Sequence, residues 1–142
     1  MTEKQEQVKK LLNSYLDLWY DIEIKSEEIE KLRSKSEKVT AVLSSAPRGG
    51  GKQDFSVTVD RIIALQDIIA EKVRQALEQR QYIERIISQV KSPLHRRVLQ
   101  RKYINGDTFE KIAVYEDKSY KHIINRIHPQ ALDMINLGSD EC

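Results

Sequence analysis

The chain has 142 residues, enough for one domain or two small ones, with 39% apolar and 32% charged residues. The apolar share excludes a disordered chain. The charged share points away from a compact globule and toward long, solvent-flanked helices, whose narrow apolar stripes leave most positions for charge.

The first predicted element is a long helix from about Thr2 to Ser44. Val8, Tyr15, Ile22, Ile29 and Leu43 occupy one heptad position and Leu11, Leu18, Leu32 and Val39 its partner, with Lys25 and Ser36 as gaps. A 3.5-residue period held over five heptads is the signature of a coiled coil. Trp19 and Tyr20 read as core and flank. Ala46-Pro47-Arg48-Gly49-Gly50-Gly51 then interrupts the pattern. Proline lacks the amide hydrogen and glycine is entropically costly in a helix, so Ser45 to Asp54 is expected to be a flexible connection. Val59, Ile62, Ile63, Leu65, Ile69, Val73, Ala76, Leu77, Ile83, Ile86, Ile87 and Val90 form a second stripe, predicting a helix over about Ser56 to Val90. Both helices would be roughly 50–60 Å long at 1.5 Å per residue. Helices of matched length joined by a flexible loop are expected to fold back as an antiparallel hairpin. The stripe is weakest from Glu78 to Tyr82, which suggests looser packing there. Ile24, Ile63, Ile68 and Ile87 fall off the main seam and predict a homodimer through the hairpin.

Shorter elements follow. Ser92-Pro93 is a helix start. Leu94, Val98, Leu99 and Ile104 line one face, and Asn105-Gly106 is a good stop. Asp107 with Glu110 fits a capping box, and Thr108 is an alternative cap. Phe109, Ile112 and Ala113 face inward on a short helix over Thr108–Val114. Tyr115 to Lys118 make a turn, and Ser119 caps the next helix, whose inward face is Ile123 and Ile127. Pro129 is expected to break or kink that helix at His128-Pro129. The fold class expected is all-α: residues 1–91 a hairpin for oligomerisation or partner binding, residues 92–138 a helix-turn-helix, and residues 139–142 an acidic tail.

The net charge is only +2, but its distribution is uneven. From Lys91 to His128 nine Lys and Arg (Lys91, Arg96, Arg97, Arg101, Lys102, Lys111, Lys118, Lys121, Arg126) face four acids (Asp107, Glu110, Glu116, Asp117). Such a local field attracts a polyanion. A helix-turn-helix places the N-terminal side chains of its second helix against base edges in the major groove. Tyr120, Lys121, His122 and Asn125 are therefore the candidate base readers. Arg96, Arg97, Arg101, Lys102, Lys118 and Arg126 are the candidate phosphate contacts.

Arg101-Lys102-Tyr103-Ile104-Asn105-Gly106, Phe109-Glu110-Lys111-Ile112-Ala113 and Ser119-x-x-x-Ile123-x-x-Arg126-Ile127-His128 together resemble region 4 of bacterial sigma factors. The close match covers about 40 residues. Including the preceding hairpin, the chain resembles the sigma-region-4-like regulators of phages and prophages, the ArpU/RinA-type late-gene activators. The resemblance implies reading of a promoter on double-stranded DNA and contact with RNA polymerase. Two departures stand out: Glu116-Asp117 replaces a Leu-Gly pair, and Lys118 an apolar residue. Asp can adopt the left-handed conformation that Gly usually supplies, and Tyr115 is expected to replace the missing apolar contact.

Other chemistry finds little footing. Gly49-Gly50-Gly51-Lys52 lacks the spacing, the Ser/Thr and the preceding strand of a phosphate loop. His95, His122 and His128 lack zinc-site spacing. No nucleophile and base are arranged for catalysis, so neither an enzyme nor a cofactor is expected. Cys142 is the single cysteine, which fits a reducing compartment. Met1 to Lys10 lacks the apolar core of a signal peptide, and no apolar run approaches the ~18 residues of a membrane span. A cytoplasmic protein is expected. Two other readings stay open: a coiled-coil adaptor without DNA binding, and a small terminase subunit.

Overall fold

A computed structural model describes the backbone of residues 1–45 and 49–137 and the side chains of residues 1–37 and 55–137. Val39 and Leu43, the Ala46-Pro47-Arg48 break, Lys52 and the acidic tail with Cys142 lie outside the described residues or side chains. Among the described residues the protein is all-α, with no strand. Two long helices, α1 (Glu3–Ser45) and α2 (Gly49–Ser88), precede α3 (Pro93–Tyr103), α4 (Phe109–Glu116), α5 (Tyr120–His122) and α6 (His128–Asp133). A π-helical stretch, Ile123–Ile127, joins α5 to α6. The chain falls into two compact units, residues 1–17 with 76–142 and residues 18–75.

In the unit of residues 18–75, α1 and α2 run antiparallel. Arg61 Nη2 lies 3.2 Å from Glu28 Oε1, and Lys72 Nζ lies 3.6 Å from Asp21 Oδ2. Among the described side chains of this unit, Ile22, Ile29 and Leu65 are buried. Ile24, Ile63 and Ile68 are exposed, as their off-seam positions predict.

In the other unit the pairing continues between Ser14 and Gln79, 2.7 Å apart, and between Tyr15 and Arg80. The stretch expected to be loose is thus a polar layer of the seam. The buried positions at the start of α1 are Gln5, Val8, Leu12 and Tyr15, so Leu12 rather than Leu11 faces the core. A real helix turns every 3.6 residues, and its seam drifts against a strict 3.5 repeat. Ile87 is buried too, and leaves the set expected to seek a second partner.

The expected connection over Ser45–Asp54 is also corrected. The backbone from Gly49 is already helical, about seven residues before the expected start at Ser56. Propagating an existing helix adds one hydrogen bond per residue fixed, which offsets the cost of about 1 kcal/mol per glycine.

The start of α1 carries a capping box formed by Thr2 and Gln5. The Thr2 amide donates to Gln5 Oε1 and the Gln5 amide to Thr2 Oγ1. Gln5 Nε2 then reaches the Pro129 carbonyl at 3.3 Å and Asp133 Oδ2 at 2.9 Å, and Lys4 Nζ reaches the Asp133 carbonyl. These contacts fasten α6 to the first turn of α1. No helix among the described residues is long and apolar enough to cross a membrane.

Candidate nucleic-acid interface

The C-terminal helices close around Val98, Ile112, Ala113, Ile123 and Ile127, with Leu94 and Phe109 packed against them. Helix α3 starts where Ser92 accepts from the His95 amide. The His95 ring lies within hydrogen-bond distance of Ser92 Oγ (2.6 Å) and Gln130 Oε1 (3.0 Å), which ties α3 to α6. Beyond Tyr103 the chain turns through Gly106 at φ 76°, and the Asp107 amide closes the turn on the Arg101 carbonyl at 2.9 Å. A side chain at that φ would be strained. Thr108, not Asp107, caps α4, accepting from the Lys111 amide. Asp107 instead lies 3.6 Å from Arg101 and 3.5 Å from Lys111.

Helix α4 runs two residues past its expected end, to Glu116. Asp117 then takes the left-handed conformation, φ 54° and ψ 48°, as expected for a residue standing where Gly is usual. The Lys118 amide donates to the Ala113 carbonyl at 3.0 Å, and Ser119 caps α5 by accepting from the His122 amide at 3.1 Å. The result is a helix-turn-helix in which Ala113 lets the two helices approach and Ile123 anchors the second.

The four candidate base readers, Tyr120, Lys121, His122 and Asn125, are all exposed on this second helix. Lys118 and Arg126 are exposed beside them. The remaining candidate phosphate residues each hold an intramolecular partner. Arg96 Nη1 donates to the Val90 carbonyl at 2.8 Å. Arg97 makes a two-pronged pair with Glu116, at 2.7 and 3.0 Å. Arg101 stacks its guanidinium 3.9 Å from the Tyr115 ring centre, and Lys102 Nζ sits 4.4 Å from that of Phe109.

Two expectations are overturned here. Tyr115 does not supply an apolar core contact: it is 54% exposed and carries the Arg101 guanidinium. Glu116 beside it has its side chain 7% exposed and its charge met by Arg97, which holds the carboxyl below the usual range. The break expected at His128-Pro129 is also absent, because the preceding stretch widens to a π turn. The His128 amide bonds back to the Ile123 carbonyl, five residues away, and this wider turn directly before Pro129 accommodates a residue that lacks an amide hydrogen.

A buried polar pair, not evident from the sequence, lies beneath these helices. Tyr103 and His128 are both almost fully buried, with Tyr103 Oη 2.5 Å from His128 Nε2. Burial, with Lys9 and Lys102 nearby, pushes the imidazole down to about 4, and burial pushes the Tyr103 phenol up. The phenol therefore donates and the neutral imidazole accepts. The signal was present, since both residues belong to the quoted motif, but only tertiary structure joins positions 25 apart. Set beside protein-family models, curated proteins and solved structures, the chain matches none.

Proposed function

We propose that this protein is a sequence-specific DNA-binding transcriptional regulator of the phage or prophage kind, reading a promoter in the cytoplasm through α5 and the π-helical stretch that continues it. The observation that carries the proposal is the exposed set Tyr120, Lys121, His122 and Asn125, held at the start of a helix whose opposite side is anchored by Ile123 and Ile127. Asn125 suits a bidentate contact to adenine, and Lys121 suits guanine or phosphate. The resemblance to sigma region 4 adds RNA polymerase as a partner. Exposed Ile24, Ile63 and Ile68 support a homodimer through the hairpin, which light scattering at micromolar concentration would test by mass. A dimer presents two reading heads, so half-sites are expected at whole-turn spacing.

Selection from a random duplex pool, followed by fluorescence anisotropy on the selected site, tests the reading. Asn125→Ala is expected to cost about 1–3 kcal/mol on the selected site and little on random duplex. Failure to enrich any sequence would reject the proposal. Retained site preference after Lys121, His122 and Asn125 are all changed to Ala would remove α5 as the reader.

A second reading rests on Val114, 82% exposed, and Tyr115 beside it on α4. Apolar and aromatic exposure of this kind marks protein contacts. In that reading the protein is an adaptor, and no duplex would be selected.

A further inference from the structure

An open groove of about 550 Å³ lies between the C-terminal end of α2 and α3. Arg80, Glu84 and Ser88 line one wall, at i, i+4 and i+8 on α2; Arg97, Gln100 and Arg101 line the other. We propose that this groove holds a phosphate of the DNA backbone flanking the site read by α5, an inference that rests on the DNA-binding reading above. It extends the contact surface onto α2, outside the helix-turn-helix.

Three guanidiniums from two helices meet at one opening. Their side chains are 46% (Arg80), 50% (Arg97) and 31% (Arg101) exposed. Each is already held in place. Arg80 Nε donates to Glu84 at 2.6 Å and Nη1 to Tyr15 Oη at 3.4 Å. Arg97 spends Nε and Nη2 on Glu116. Arg101 is stacked on Tyr115, and its 3.6 Å separation from Asp107 is an ion pair rather than a hydrogen bond. A guanidinium carries five N–H donors, so each retains donors that these partners do not occupy. The ordering entropy of the long side chains is spent before any ligand arrives, which favours binding by preorganised groups. Gln100 adds an uncharged donor to the same walls, whereas the Ser88 hydroxyl donates to the Arg85 carbonyl at 2.7 Å. The Arg97–Glu116 pair joins the groove to the last turn of α4, directly before the turn that leads into the reading helix. A backbone passing the start of α5 is thus a near source of phosphate.

The carboxylates give the proposal a test that structural damage cannot imitate. Glu84 opposes an incoming phosphate while it steadies Arg80. Arg80→Gln is expected to weaken the full-length protein on selected and random duplex alike, by about three- to tenfold, and to flatten the salt slope by about 0.9. Glu84→Gln is expected to do the reverse, tightening both and steepening the slope; a merely disturbed fold would not bind more tightly. If the wild type binds its selected site and Asn125→Ala weakens it, yet neither groove variant changes affinity or slope, the groove proposal fails and the DNA reading stands. If the wild type binds no duplex, both fail. Inorganic pyrophosphate separates the other source of the same chemistry. A rise in melting temperature with pyrophosphate that Arg80→Gln abolishes, alongside unchanged duplex binding, would assign the groove to a free phosphate and overturn the backbone contact.

Discussion

The C-terminal helices and the unit of residues 18–75 are built on opposite plans. Around Ile123 a closed core is pinned by side-chain caps at Ser92, Thr108 and Ser119 and by the buried Tyr103–His128 pair. In residues 18–75 a narrow seam is bordered by exposed charges, with Arg61–Glu28 and Lys72–Asp21 spanning the helices. A closed core fixes side-chain positions to fractions of an ångström, which a base-reading surface requires. A two-helix seam supplies length and direction instead, and leaves isoleucines at its surface. The difference is one of enclosure: a cavity opened inside a core stays empty, whereas one opened in a thin seam is filled by shifting side chains or water.

That comparison is open to direct attack by mutation. Ile123→Ala is expected to lower stability by about 4 kcal/mol and Leu65→Ala by about 2, within the range of large-to-small core changes. Urea unfolding of both variants measures the two values. Equal losses would mean that the seam is as tightly enclosed as the core.

Acid should separate the regions next. His128 titrates near 4 in the folded chain, against about 6.5 when unfolded. Between those values the unfolded chain binds a proton that the folded chain refuses, so stability rises with pH. The contribution is whole above about pH 6.5 and is lost as pH falls toward 4, by up to about 3 kcal/mol. The Tyr103→Phe, His128→Leu double variant should lose this slope, whatever its own stability. Parallel profiles for the double variant and the wild type between pH 6.5 and 4 would show that His128 accepts its proton without cost.

The legibility of the sequence follows the same division. Period and caps are local, so the two long helices, the caps at Ser92 and Ser119, and the inward Ile112, Ala113, Ile123 and Ile127 could all be read from nearby residues, whereas the left-handed Asp117 followed from the resemblance to sigma region 4. Contacts between distant residues could not. Glu116 looked like an acidic blemish in a turn until Arg97 stood opposite it. Tyr103 and His128 looked like separate letters of a motif. Arg97, Arg101 and Lys102 looked like free cations, and composition cannot reveal the partners they hold. A strict heptad points to Leu11, whereas the 3.6-residue turn of a real helix buries Leu12. The exposure of the proposed readers was legible, since anchoring Ile123 and Ile127 inward leaves Tyr120, Lys121, His122 and Asn125 outside.

A smaller effect compares a cap with a charge pair. Ser119→Ala removes the acceptor for the His122 amide and is expected to cost about 1 kcal/mol. Lys72→Ala removes a partly exposed pair with Asp21 and is expected to cost about 0.5 kcal/mol, less in high salt. Thermal melts at low and high ionic strength measure both. A salt-independent loss for Lys72→Ala equal to that for Ser119→Ala would mean that the seam depends on this contact as strongly as the head depends on its cap.

The smallest expected effect lies in the turn itself. Asp117 sits at φ 54°, where a side chain costs about 1–2 kcal/mol, somewhat less for Asp, and glycine almost nothing. Asp117→Gly removes that strain but gives the unfolded chain more freedom, so the gain is expected to be only about 0.5 kcal/mol. Asp117→Ala keeps the strain, loses the polar side chain that eases it, and should instead lose about 1 kcal/mol. Both changes remove the same carboxylate beside Lys118 and Ser119. Charge alone therefore predicts equal shifts in stability, and backbone conformation predicts opposite ones. Chemical unfolding of the pair decides between them: opposite signs identify the left-handed turn as the constraint, and equal signs transfer the effect to the charge. On duplex DNA both variants should bind more tightly, because the turn loses a negative charge next to the reading helix. Tighter binding by the glycine variant alone would mean that the freedom of the turn, rather than its charge, governs how α5 meets the groove.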